Sequence, residues 1–161
     1  METVILPFFR DEPTYKRVLF VGCAWYTRGY RKFFDEDMYW TLDIDPARQR
    51  FGAKKHFVDA IENIERYFEA ESLDLIICNG VFGWGLNEKT AVEKAFHGCH
   101  RCLRQGGIFL LGWNDLAEAR PFPLEESKGL ALFHRAPFAP MAVSRIPINN
   151  EYRHVYDFFL K

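Results

Sequence analysis

The chain has 161 residues, 48% of them hydrophobic and 17% aromatic, which is enough to build one buried core and argues against disorder. A formal net charge of -1 argues against a broad phosphate-binding face, so no nucleic-acid partner is expected. No apolar run approaches the ~20 residues of a membrane helix, and four cysteines without a secretory signal fit a reducing, cytoplasmic setting away from membranes.

Met1–Lys16 holds two prolines and reads as an irregular N-terminal segment of a single domain that spans 1–161. Arg17-Val18-Leu19-Phe20-Val21 is a short β-rich run that stops at Gly22. The turn Gly22-Cys23-Ala24-Trp25-Tyr26 leads into a helix over Arg28–Phe34, and Met38–Leu42 follows as a second strand ending in Asp43-Ile44-Asp45-Pro46. A strand, a glycine turn, a helix and a strand tipped by an acid point to a nucleotide-cofactor site. Asp43 lies 21 residues after Gly22, close to the ~20-residue gap that brings a carboxylate to a ribose hydroxyl when the cofactor lies over the turn. Asp45 directly precedes a proline and suits the helix cap.

His56-Phe57-Val58 is a third strand ending at Asp59, where Asp59-Ala60 also reads as a plain helix start. Glu62–Glu71 is helical in spacing, with Ile64, Tyr67 and Phe68 on one side. Leu73–Cys78 is almost continuously apolar, as expected of a parallel strand buried on both faces, and ends at Asn79-Gly80. In Phe82-Gly83-Trp84-Gly85 the flanking glycines leave Trp84 poorly shielded, which suits a pocket wall or lid as well as packing. Asn87 looks like the N-cap of a helix over Glu88–Arg104, with Ala91, Ala95, Cys99 and Cys102 on one face and Gln105-Gly106-Gly107 as its stop. His97, Cys99, His100 and Cys102 share that one helix without a second cluster, so no metal site is expected.

Ile108–Leu111 is a further buried strand, ending at Gly112-Trp113-Asn114-Asp115 on the side where open α/β sheets place ligands. Asp115 is a candidate base or a helix cap. Pro121–Pro140 is an insertion expected to cover one edge of the sheet, and Met141–Ile146 with Tyr152–Leu160 reads as a hairpin across Pro147–Glu151. Five strands alternating with helices and then a hairpin define an α/β, doubly wound, mostly parallel seven-stranded sheet with one antiparallel strand.

Four segments resemble the class I, Rossmann-like S-adenosylmethionine-dependent methyltransferases, most of all their small-molecule branch. They are Val18–Cys23, Leu42–Pro46, Phe57–Ala60, and the stretch from Leu73–Ile76 to Leu103–Gly107. The resemblance implies S-adenosylmethionine as cofactor and methyl transfer to a small molecule. Gly22, Cys23 and Ala24 would pass beneath the methionine part, Asp43 would take the ribose hydroxyls, and Ile44 would pack on adenine. Asp59 would accept the adenine amino group with Ala60 beside it, and Asn79 and Gly80 would close the pocket near the sulfonium. Substrate contacts would come from Tyr26, Trp84, Trp113, Asn114 or the Pro121–Pro140 segment.

The chain departs from the family in three places. Phe20 stands where an acid usually precedes the first glycine, and Ala24 and Tyr26 replace later loop glycines. Asn79-Gly80-Val81-Phe82 lacks the prolines of relatives that methylate planar amines, so methylation of a base is not implied. The alternatives are a non-catalytic cofactor-binding or interaction module and a nicotinamide-dependent oxidoreductase. The latter lacks its glycine spacing here.

Overall fold

The computed structural model describes residues 1–161. It contains a helix α1 (Ile5–Asp11), then β1 (Val18–Val21), β2 (Tyr39–Asp43), β3 (Lys55–Val58) and β4 (Leu73–Asn79). The helix α2 (Lys89–Cys102) and strands β5 (Leu103–Asn114), β6 (His134–Arg135), β7 (Arg145–Pro147) and β8 (His154–Leu160) complete it. The sheet order β3-β2-β1-β4-β5-β8-β6 fills seven positions, with β7 also on β8. Strands β1 to β5 are parallel to their neighbours, whereas β8 runs antiparallel to β5 and to both β6 and β7. This is the expected doubly wound sheet, with its last position split.

β1 and β4 are apolar and buried along their whole length because each face of the sheet carries a core. On one face Leu19, Ile76 and Phe109 pack with Ile64, Phe96, Cys99 and Phe133. On the other, Phe20, Ile77 and Leu110 pack with Leu6, Phe9, Tyr30 and Phe138. Register then decides where the strands end. Val21 sits beside Leu42 and Cys78, and Asn79 sits beside Gly112, so the residues that follow all emerge on one edge.

The edge strand is interrupted between β6 and β7, which pair with opposite ends of β8. Asp157 joins the pieces. Its fully buried carboxylate accepts hydrogen bonds from Arg135 (2.8 Å), Arg145 (2.7 and 2.8 Å) and the Trp113 indole (2.8 Å). Burial alone would raise the Asp157 carboxyl, but the bonds from Arg145, Trp113 and Arg135 hold it below the usual range.

Several local expectations are corrected. Met1–Lys16 is not irregular throughout, because Ile5, Leu6 and Phe9 bury one face of α1. Pro7 falls in its first turn, where a missing N–H costs nothing. The segments read as helices over Arg28–Phe34 and Glu62–Glu71 are 3-10 helices over Trp25–Phe33 and Ile61–Arg66. Asn87 does not cap α2, whose cap position is Glu88 and has no side-chain bond. Gly106-Gly107 does not stop α2 either. The helix ends at Cys102 and the chain enters β5 at once, the glycines lying in a bulge where the register shifts between Leu73–Leu103 and Leu75–Ile108. Residues 121–140 do more than cover an edge: Leu124, Leu130 and Phe133 enter the core. The strand expected over Met141–Ile146 is confined to Arg145–Pro147.

Candidate active site

At the carboxyl edge of the parallel strands lies a cavity of about 790 Å³. Gly22, Cys23 and Ala24 from the turn after β1, and Asp43 and Ile44 from the end of β2, form one wall. Asp59 and Ala60 after β3, and Asn79 and Gly80 after β4, continue it. Of the residues read as substrate contacts, Tyr26, Trp84 and Asn114 reach the same cavity. Trp113 does not: it is 2% exposed and spends its indole N–H on Asp157. Because side chains alternate along a strand, the face that brings Asn114 to the cavity sends Trp113 into the core.

Gly22 has a φ of +95°, and a Cβ there would run into the Asn79 carbonyl oxygen and lie 2.8 Å from Val81 Cγ2. Only glycine lets the first loop close so tightly on the end of β4. The two missing loop glycines have local explanations. Ala24 is extended, with φ -148°, so no glycine is needed. Its N–H donates to Thr27 Oγ1 (2.9 Å), and the buried Thr27 hydroxyl donates back to its carbonyl (2.9 Å), which starts the 3-10 helix. Tyr26 is 52% exposed and packs edge-on against Trp25, so it stands at the rim and the space beside Gly22 is open. Phe20, which stands in place of the family acid, is buried in the second core, edge-on to Tyr30 at 5.4 Å.

The Asp43 carboxylate accepts the Cys23 N–H (2.7 Å) and the Asp45 N–H (2.9 Å), one on each oxygen. Two oxygens offer about four acceptor sites, so a pair of ribose hydroxyls fits what is left. Asp45 accepts the Ala47 N–H (2.9 Å) and caps the following turn. Asp59 is more fully bonded, yet it lines the cavity and by the same count keeps one acceptor site. It accepts from Ala60 N–H (2.7 Å), Asn63 (2.8 Å) and the Tyr67 hydroxyl (2.8 Å), and bonds from Asn63, Tyr67 and Ala60 hold its carboxyl below the usual range. Burial pushes the Cys23 thiol up to about 12, leaving it a neutral thiol under the turn. Asp115 reaches Arg145 (3.4 Å) and Arg120 (3.5 Å) and does not line the cavity. Cys99 and Cys102 are buried in the core.

The structure adds residues to the cavity that the sequence reading passed over: Arg48, Glu88, Asn150, Tyr152 and His154. His154 opens β8 directly opposite Asn114. Its Nδ1 lies 2.7 Å from Asn114 Oδ1 and its Nε2 3.1 Å from Asn79 Oδ1. Burial pushes the His154 imidazole down to about 4, so the ring is neutral at ordinary pH. The available signal was the hairpin itself, since an antiparallel strand beside β5 must begin at the ligand-binding edge.

The profile of the family described as methyltransferase domain matches residues 19–111. The chain belongs to this family. Fold and family together define a class I, Rossmann-like S-adenosylmethionine-dependent methyltransferase, and the nicotinamide alternative is set aside. Among solved structures, the fold is similar to the N-methyltransferase NodS from Bradyrhizobium japonicum WM9 in complex with S-adenosylhomocysteine. That likeness has a TM-score of 0.67 at 17% identity and covers 92% of this chain and 79% of that one. A TehB-like S-adenosylmethionine-dependent methyltransferase from Corynebacterium glutamicum matches with a TM-score of 0.63 at 17% identity, covering 97% of this chain and 86% of that one. An S-adenosylmethionine-dependent methyltransferase from Archaeoglobus fulgidus matches with a TM-score of 0.61 at 13% identity, covering 97% and 89%. No curated protein sequence matches the chain. No helix is long and apolar enough to cross a membrane.

Proposed function

We propose that the chain transfers a methyl group from S-adenosylmethionine to a small molecule. The observation that carries this reading is the open cavity beside Gly22, faced by an Asp43 carboxylate that still has acceptor sites to give. In this reading Gly22, Cys23 and Ala24 lie along the methionine chain, Asp43 takes the ribose hydroxyls and Ile44 packs on adenine. Asp59 takes the adenine amino group on its remaining acceptor site, held in place by its bonds to Asn63 and Tyr67, with Ala60 beside it, and Asn79 and Gly80 border the sulfonium region. When bound, the cofactor supplies an electrophilic methyl carbon on a positively charged sulfur. The protein's part is to hold an acceptor in line with that carbon and to exclude water, which needs no nucleophilic triad.

A net charge of -1 supports a small acceptor over a phosphate-rich polymer, although one structurally similar protein is a Thermus thermophilus 16S rRNA methyltransferase. Isothermal titration with S-adenosylhomocysteine tests the reading. Wild-type protein binds it, and Asp43→Ala weakens binding more than tenfold in a folded protein. Two charge-assisted hydrogen bonds of about 1.5–3 kcal/mol each make tenfold a conservative threshold. Equal affinity in the variant would reduce Asp43 to a turn residue. No binding by the wild type would favour the non-catalytic interaction module.

A further inference from the structure

The side of the cavity formed by β5, β8 and the loop between β7 and β8 differs in chemistry from the rest. Asp43, Asp45, Arg48, Asp59, Glu62 and Glu88 line the cavity from other elements, whereas this side presents Asn114, Asn150, Tyr152 and His154. None of those four carries a charge at neutral pH. Tyr26 and Trp84, which line the same cavity, are 52% and 63% exposed, and Tyr152 is 51% exposed. Three large rings are thus left in water beside an opening, although the chain has two cores in which to bury aromatics.

The polar centre of this side is the chain of contacts Asn79–His154–Asn114. Its geometry is set from below. A Cβ at Gly112 would collide with the Asn79 side-chain oxygen, so the glycine is what makes room for that amide at the sheet edge. His154 also packs edge-on to Tyr156 with ring centroids 4.8 Å apart, which fixes the imidazole plane. Both ring nitrogens face an asparagine Oδ1; because a neutral imidazole donates from one nitrogen and accepts at the other, one of the two amides turns over to offer its NH₂ in place of its oxygen. Neither amide has another protein partner through its side chain. The asparagine that offers oxygen is therefore left with a free NH₂ and the other with a free carbonyl oxygen. A ligand that satisfies both presents one donor and one acceptor together, without net charge.

We propose that Asn79, His154 and Asn114 form the acceptor subsite for methyl transfer, and that it takes a flat, uncharged aromatic molecule bearing a hydroxyl. The hydroxyl pairs with one of the two free amide groups, and the ring lies against Trp84, Tyr26 or Tyr152, where offset or edge-on aromatic contacts add about 0.5–1.5 kcal/mol beyond the area they bury. In the transfer, the hydroxyl oxygen forms a bond to the methyl carbon as the carbon–sulfur bond breaks and its electron pair returns to sulfur. The sulfonium becomes a thioether, the positive charge moves to the oxygen, and the proton then leaves that oxygen to solvent at the open mouth of the cavity. His154 is a positioning residue here: it orients both amides and needs no change of its own charge. The assignment to methyl transfer rests on the function proposed above, but the subsite itself consists of protein groups in place without any ligand.

Ligand-observed NMR with four probes tests the subsite: phenol, benzoate, benzylammonium and cyclohexanol, each titrated into the free protein and into protein mixed with S-adenosylhomocysteine. Phenol binds at least fivefold more tightly than each of the other three, and S-adenosylhomocysteine does not displace it. His154→Phe and Asn114→Ala each remove phenol's advantage over benzoate and benzylammonium, while Trp84→Ala removes its advantage over cyclohexanol. The wild-type selectivity is decisive even if a variant fails to fold. Benzoate or benzylammonium binding as tightly as phenol overturns the uncharged acceptor, and a strong preference for benzylammonium would make the rim a cation cage instead. Displacement of phenol by S-adenosylhomocysteine places both in one subsite and also overturns the proposal. Failure of S-adenosylhomocysteine to bind, with phenol selectivity intact, removes the transferase reading and leaves the subsite standing.

Discussion

The two edges of the parallel sheet use the same kinds of side chain to opposite ends. At the amino edge, Asp74 at the start of β4 is 4% exposed and fully occupied. One of its oxygens accepts the Lys16 and Arg17 N–H groups (3.2 and 2.8 Å), and the other accepts from Arg17 Nη2 and Arg104 Nε (2.8 Å each). Burial alone would raise its carboxyl, yet these bonds hold it down at about 2. At the carboxyl edge, Asp43 has two backbone partners and room for more, and the amides of Asn79 and Asn114 each meet one ring nitrogen. A polar group whose bonding capacity is exhausted holds strands together. One whose capacity is left over, beside a cavity, is free to meet a ligand.

That contrast is broken most directly at Asp74. Asp74→Ala leaves the Arg17 and Arg104 guanidiniums without their carboxylate and two backbone N–H groups without an acceptor. It should destabilise the fold by about 3 kcal/mol in urea titrations, while the S-adenosylhomocysteine affinity of the folded fraction stays within twofold. A large loss of affinity at unchanged stability would reverse the assignment of the two edges. Gly22→Ala probes the opposite case with a smaller effect on the fold. The forced positive φ and the approach to the Asn79 carbonyl should cost about 1–3 kcal/mol and abolish measurable S-adenosylhomocysteine binding. If the variant bound normally, the tight first loop would be a packing feature only.

How much of this was legible beforehand differs between the edges for a physical reason. The cavity wall around Gly22 and Asn79 is written in local runs: Val18–Val21 and Leu73–Cys78 are apolar because both faces are buried, and each is followed by a residue with a special backbone or polar role. Gly22 could therefore be marked from its neighbours and Asp43 from its spacing to Gly22, whereas Asn79 was marked only through the family resemblance; all three line the cavity. The opposite wall is non-local. Nothing within Asn149–Arg153 says that the hairpin overhangs a cavity; that follows only once β8 is inserted against β5, which brings His154 to Asn114 across 40 positions of sequence. The Trp113 assignment failed for the same reason, since which face of β5 met the cavity was undecided until its partner strand was in place. The segments at Trp25–Phe33 and Ile61–Arg66 bury Thr27, Tyr30 and Phe33, and Ile61 and Ile64, at the i, i+3 spacing that α- and 3-10 helices share, so the sequence pattern did not separate the two.

The subtlest difference between the edges lies in their response to acid. His154 is held neutral by burial, with its imidazole near 4 against 6.5 for an ordinary histidine. Between those values the unfolded chain binds a proton that the folded one refuses, so the contribution is whole above about pH 6.5 and declines as the pH falls toward 4. A single group of this kind gives a slope of at most about 1.4 kcal/mol per pH unit. Burial also lowers the imidazoles of His56 and His100, so the informative quantity is a difference. The stability of His154→Gln, measured by urea titration at pH 5.5 and 6.5, should fall by about 1 kcal/mol less than that of wild type. Asp74, whose folded carboxyl is depressed from 3.8 to about 2, keeps its contribution above pH 4 and loses it only as the pH falls through that lower window. The carboxyl edge should therefore weaken first. Identical slopes for His154→Gln and wild type would mean that the ring charges freely in the folded protein, and the donor–acceptor balance argued for Asn79 and Asn114 would then lose its basis.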